Sequence, residues 1–136
     1  VGRGLQKRFD SLALEVWRDL QKIIPAEFQD EIGKIHILMM DEPTPDLLAD
    51  LPEELAEEPE FLDGLHVGTP MTEVSFLAPE SEPVRVYLFR KSLCDGLDGE
   101  PDGEEILREE IAVTLLHEIG HYFGLSEEDL ERLGYD

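Results

Sequence analysis

The chain has 136 residues and a formal net charge of −22, from 11 basic and 33 acidic side chains. That length is expected to form one domain over 1–136, and 41% apolar residues are enough for a real core. The acidic excess excludes nucleic acid and anionic membrane surfaces as partners, and no apolar run approaches the ~20 residues of a bilayer span.

The same charge reads first as a source of solubility; the sharper alternative is that it steers basic or neutral peptides in and disfavours acidic ones. There is one cysteine, Cys94. No disulfide can form within the chain, which fits a reducing compartment, and a cytoplasmic location is expected. No secretory signal is visible, although the chain begins at Val1 and a removed signal stays open. The absence of asparagine, with only three glutamines among abundant Glu, Leu, Arg and Pro, points to a thermophile.

Residues 4–24 read as an amphipathic helix. Leu5, Phe9, Leu12, Val16, Leu20 and Ile23 recur at spacings of three and four, and Pro25 closes the run. Arg3, Lys7, Arg8, Arg18 and Lys22 lie here and are expected to face acidic surface elsewhere. Residues 34–40 (Lys-Ile-His-Ile-Leu-Met-Met) read as a buried strand, with His36 structural. Residues 41–63 carry ten acidic residues and four prolines. Thr44-Pro45 is placed to start a short helix over 45–51, and the rest reads as solvated loop.

Residues 64–70 (Gly-Leu-His-Val-Gly-Thr-Pro) read as a turn-rich segment. His66 there is either a plain loop residue, the favoured reading, or a contact to substrate or intermediate. Residues 84–90 are the clearest strand, with Val84, Val86 and Leu88 on one side and Tyr87 and Phe89 on the other. Shorter strands within 72–77 are candidates to pair with it. The acidic run 98–109 matches a calcium loop at Asp98, Glu100, Asp102, Gly103 and Glu109. Pro101 and a glutamate at the third position weaken that match.

Residues 104–123 read as a long helix. Ile111, Leu115, Ile119 and Tyr122 form its apolar stripe, and Glu104 and Glu105 suit its N-terminus. This helix carries His117-Glu118-Ile119-Gly120-His121, an H-E-x-x-H motif. Two imidazoles four residues apart lie one turn above the other and can share a metal ion. The intervening Glu118 can act as general base on water activated at that ion. Gly124 follows His121 by three residues and Glu127 follows Gly124 by three. The glycine lets the helix stop and the chain turn back, and Ser126 can cap a final helix over 126–134, with Asp129 reaching back. Glu127, in the first turn of that helix, would reach the ion as third ligand, completing a His-His-carboxylate shell for one Zn²⁺ per chain. Glu128 is its nearer rival.

The segment His117–Asp129 resembles a family of small bacterial proteins described as possible zinc metallopeptidases with a minimal zincin-like fold. The turn at 64–70 and the strand at 84–90 are similar as well. The resemblance implies an α+β class: a small sheet, an active-site helix beneath it, and the glycine turn after the second histidine. With the N-terminal helix read from its own period, the expected fold is a small mixed sheet packed on an active-site helix plus the N-terminal helix. The resemblance also implies zinc on His117 and His121, Glu118 as base and Glu127 at the acidic third-ligand position. Two features depart from larger peptidase groups. No methionine follows the motif, and the fifteen residues after His121 leave Glu131 poorly placed as a ligand. The expected function is therefore a zinc-dependent peptidase acting through a metal-bound water on a peptide or protein substrate. Tyr135, His66 and Arg85 are the candidates for stabilising the oxyanion. The alternative is a metal-binding or interaction module that keeps the fold and cleaves nothing.

Overall fold

The computed structural model describes residues 4–24, 26, 29–49, 51, 57, 62–67, 84–123 and 128. The elements, in chain order, are α1 (Gly4–Ile23), α2 (Gln29–Ile32), β1 (Ile35–Met40), α3 (Pro45–Ala49), β2 (Gly64–Val67), β3 (Val84–Phe89), α4 (Arg90–Cys94) and α5 (Gly103–Tyr122). The class is α+β, with a mixed sheet packed against the N-terminal and C-terminal helices.

The period of α1 is the expected one. Phe9, Leu12, Ala13, Val16, Trp17 and Leu20 are buried, and Leu5 packs against them. Ile23 departs from the expected stripe: it sits in the last turn, outside the core cluster, and is 69% exposed. The end of α1 is closed by a side chain from the next element. The Gln29 amide donates to the carbonyls of Gln21 and Ile24 at 2.9 and 2.8 Å, occupying acceptors that a helix end leaves open. The opposite face of α1 meets charge as expected at Arg8, which pairs with Glu104.

Three strands form the sheet among the described residues, in the order β1-β3-β2. β1 runs parallel to β3 and β2 antiparallel to it. Among the described residues, the buried strand expected at 34–40 is therefore an edge strand. Ile35 is buried and Ile37 and Met39 are half-buried against the core, whereas His36 and Leu38 are exposed. A run of apolar residues cannot by itself distinguish a strand covered on both faces from one covered on one. β3 is the central strand. Val84, Val86 and Leu88 join the core, while Tyr87 and Phe89 stack on the other face, 6.4 Å apart.

The short helix expected after Thr44 spans Pro45–Ala49, and the Thr44 hydroxyl accepts from the Leu47 amide at 3.3 Å. α5 begins at Gly103, one residue from the expected start. Glu109 therefore lies in the helix rather than at the end of an acidic loop, and the calcium pattern at 98–109 has no loop of that length to stand on. Leu107, Ile111 and Leu115 are fully buried, with Ile119 and Tyr122 nearly so. Each such side chain contributes roughly 1.5–3 kcal/mol by leaving water. α5 packs on α1 on one side and on β2 and β3 on another.

One side chain ties the layers together. Arg90 donates from Nε and Nη2 to the two carboxylate oxygens of Asp10, at 2.9 and 3.0 Å, and from Nη1 to Asp41 at 3.3 Å. It thus joins α1, the end of β1 and the start of α4. The hydrogen bonds to Asp10, above all, hold its guanidinium even further above neutrality than usual. Both carboxylates are more than half exposed, so solvent screens much of this energy. Arg90→Ala is expected to cost about 1 kcal/mol, seen as a fall in Tm of roughly 3–5 °C in calorimetry. Arg90→Lys is expected to recover little of it, because an ammonium cannot reproduce the two-pronged contact.

Candidate active site

α5 brings His117, Glu118 and His121 to one end of the sheet. The imidazoles of His117 and His121 stand edge to face with ring centres 4.6 Å apart, and both are half-buried. Glu118 turns inward. Among the described residues, only Thr114 and Glu118 are buried polar or charged side chains, each 9% exposed. Both are on the side of α5 that meets β2.

The close approach of β2 is made by Gly64. A Cβ placed there would lie 2.5 Å from Thr114 Cγ2, 3.1 Å from the Tyr87 carbonyl oxygen and 3.7 Å from Glu118 Cγ. Only a residue without a side chain lets the strand sit this near the helix. Two residues further along the same face is His66. Its Nδ1 lies 2.8 Å from Oε2 of Glu118. Its ring also stacks on that of His121, with centres 5.8 Å apart and planes inclined by 27°.

This corrects the reading of residues 64–70. Residues 64–67 form a strand paired with β3, not a turn, and His66 belongs to the histidine cluster instead of a loop. The glycines and proline of the segment carry a turn signal, which masked the short strand. The available clue was alternation: in Gly-Leu-His-Val, the first and third residues share a face.

Arg85 is not brought to this site. It lies between Val84 and Val86 on β3, on the face away from α5, and is exposed. His36 pairs in register with Arg85 across β1 and β3, on the same outer face. Glu127, Gly124, Ser126, Asp129, Glu131 and Tyr135 lie outside the described residues, as do the strands expected within 72–77. Glu128 is described and exposed. Among the described residues, no group of three or more His, Cys, Asp or Glu side chains is set to hold an ion. The His117–His121 pair nevertheless has the chemistry for two of the positions. Two adjacent nitrogen donors suit a borderline-soft divalent ion such as zinc, and one carboxylate more would leave the centre with net positive charge.

Cys94 takes no part in this cluster. It is 2% exposed in the core, and burial first, then the nearby Asp98 charge, pushes its thiol up to about 11. The folded state thus holds the proton that an unfolded thiol releases near ~8.5. This contribution to stability is present below the unfolded value and is lost as pH rises through about 11. A thiol reagent at pH 8 is expected to label native protein at least tenfold more slowly than protein in guanidinium, since the thiolate is the nucleophile. Equal rates would show that Cys94 is accessible.

A half-buried imidazole pair beside an inward carboxylate, carried by one helix under a small mixed sheet, defines a zincin type of architecture. The family model for zincin-like metallopeptidases matches residues 32–135, and the chain belongs to that family. No curated protein matches the chain. The family suggests a peptidase and implies a metal, with zinc the expected ion, and a protein or peptide substrate. Among the described residues, no helix is long and apolar enough to cross a membrane.

Proposed function

We propose that the chain is a zinc-dependent peptidase in which His117, His121 and Glu127 hold the ion and Glu118 is the general base. The observation that carries this reading is the buried carboxylate of Glu118 on the same helix as two adjoining imidazoles. Burying a carboxylate is costly unless it is partnered, and the partner here is His66 of the same cluster, at 2.8 Å. When bound by these residues, zinc would supply Lewis acidity toward a carbonyl and would lower the pKa of water toward ~7.

The chain's own residues do the rest. Glu118 takes the proton of the attacking water and passes it to the leaving amine, which must depart protonated. His117 and His121 are fixed by the rigid helix, whose other faces are locked into the core by Ile111, Leu115 and Ile119. The net charge of −22 favours basic or neutral peptides over acidic ones.

A proteome-derived peptide library tests this directly. Zinc-loaded protein is expected to cut a subset of peptides, chelation to abolish cutting, and added zinc to restore it. Cleavage that persists unchanged after the metal is removed and its absence confirmed by elemental analysis would end the proposal. Stoichiometric zinc uptake without cleavage of any peptide would favour a binding module with the same fold.

A further inference from the structure

We propose that His66 is a positioning residue for Glu118: its Nδ1–H donates to Oε2 and fixes the carboxylate's orientation, leaving Oε1 as the oxygen that handles the proton. The proposal rests on the peptidase reading for its catalytic consequence and on geometry alone for the contact.

Three observations converge on it. The Nδ1–Oε2 distance is 2.8 Å, a well-formed hydrogen bond. The bond joins β2 to α5 across 52 positions of sequence, so it reflects tertiary placement and not local chain geometry. Both partners are largely out of water, with side-chain exposures of 23% for His66 and 11% for Glu118. An ionised carboxylate can only accept, so the proton of this bond sits on Nδ1.

The ring has little freedom to do otherwise. Gly64 brings the strand against Thr114, and the imidazole lies over the His121 ring. A glutamate side chain has three rotatable bonds and would sample several orientations without such a restraint. A base must lie within hydrogen-bonding reach of the proton it removes, and a displacement of about 1 Å can cost roughly a hundredfold in rate. With Oε2 engaged by a group anchored on the sheet, one orientation is selected before substrate arrives.

The choice of variants separates the donor from the ring. His66→Asn can place an amide N–H near the position of Nδ1, whereas His66→Phe keeps a ring and removes the donor. On a peptide cut by wild type, His66→Phe is expected to lower kcat by roughly ten- to hundredfold with KM changed by no more than about twofold. His66→Asn should recover most of that loss. Zinc affinity, read by competition with a chromophoric chelator, should stay within about tenfold of wild type in both variants, because His66 bonds the base and no ligand. A larger drop in either would place His66 on the ion or on its ligands and overturn the proposal. So would equal kcat in wild type and His66→Phe, or failure of asparagine to do better than phenylalanine when circular dichroism shows both folded.

A second readout needs no turnover. Long-range ¹H–¹⁵N spectra of the metal-free protein should show His66 protonated at Nδ1, and Glu118→Ala should shift that signal. A bare Nδ1, or a signal indifferent to Glu118→Ala, would refute the contact. If no peptide is ever cut, the peptidase reading fails while this spectrum still decides whether His66 holds Glu118.

Discussion

Glu118→Gln is expected to lower kcat/KM for peptide cleavage by at least a hundredfold and to leave zinc bound at one per chain. The expectation follows from what glutamine keeps and what it loses. Its size matches glutamate, so the contact with Gly64 and β2 is undisturbed. Its amide oxygen can still accept from Nδ1 of His66. It cannot take a proton from water at neutral pH. General base catalysis by a positioned side chain is worth roughly 10²–10⁴ in rate, and that is the expected loss. Elemental analysis alongside the kinetics distinguishes two failures. Activity within tenfold of wild type would remove Glu118 from the chemistry, and loss of zinc would make it a ligand instead of a base.

Gly64→Ala should destabilise the protein by about 1–3 kcal/mol, because a methyl group has no room between β2 and α5. In thermal unfolding this is a fall in Tm of roughly 4–12 °C. The nearest obstacle is Thr114 Cγ2, a group that serine lacks. Thr114→Ser keeps the hydroxyl and opens that space, so the double variant should recover part of the loss, leaving the 3.1 Å approach to the Tyr87 carbonyl. The two changes should therefore couple in a double-mutant cycle, with an interaction energy of at least about 0.5 kcal/mol. Strict additivity would show that the strand shifts as a whole instead of pressing on Thr114. Because the same strand carries His66, Gly64→Ala should also slow catalysis more than its stability loss explains.

These expectations differ in where they came from. The H-E-x-x-H motif is visible in the chain because α-helical geometry turns a spacing of four into a shared face. The same rule made α1 and α5 legible, since a long run at a period of 3.6 sums many residues into one signal. β3 was readable from its alternation, with Val84, Val86 and Leu88 inward as expected. α1 precedes the residues matched by the family, which begin at 32, yet Phe9 and Leu12 are among the most buried side chains. Its place in the core was therefore carried by its own periodicity and not by the family likeness.

What failed was short or depended on neighbours. β2 has four residues, too few for alternation to outweigh the turn signal of two glycines and a proline. Burial of β1 depended on whether another layer or solvent covered its outer face, and solvent did for His36 and Leu38. Arg85 was a candidate at the site until the register with β1 and β2 placed it on the outer face.

From its residue order alone, this protein declares a long helix bearing a histidine pair with an adjoining carboxylate, because those features depend only on local, repeating geometry. The partnership of His66 with Glu118, and the glycine that permits it, belong to the tertiary structure. They arise where a strand and a helix 52 residues apart come within contact distance, and no local periodicity encodes which surfaces will meet.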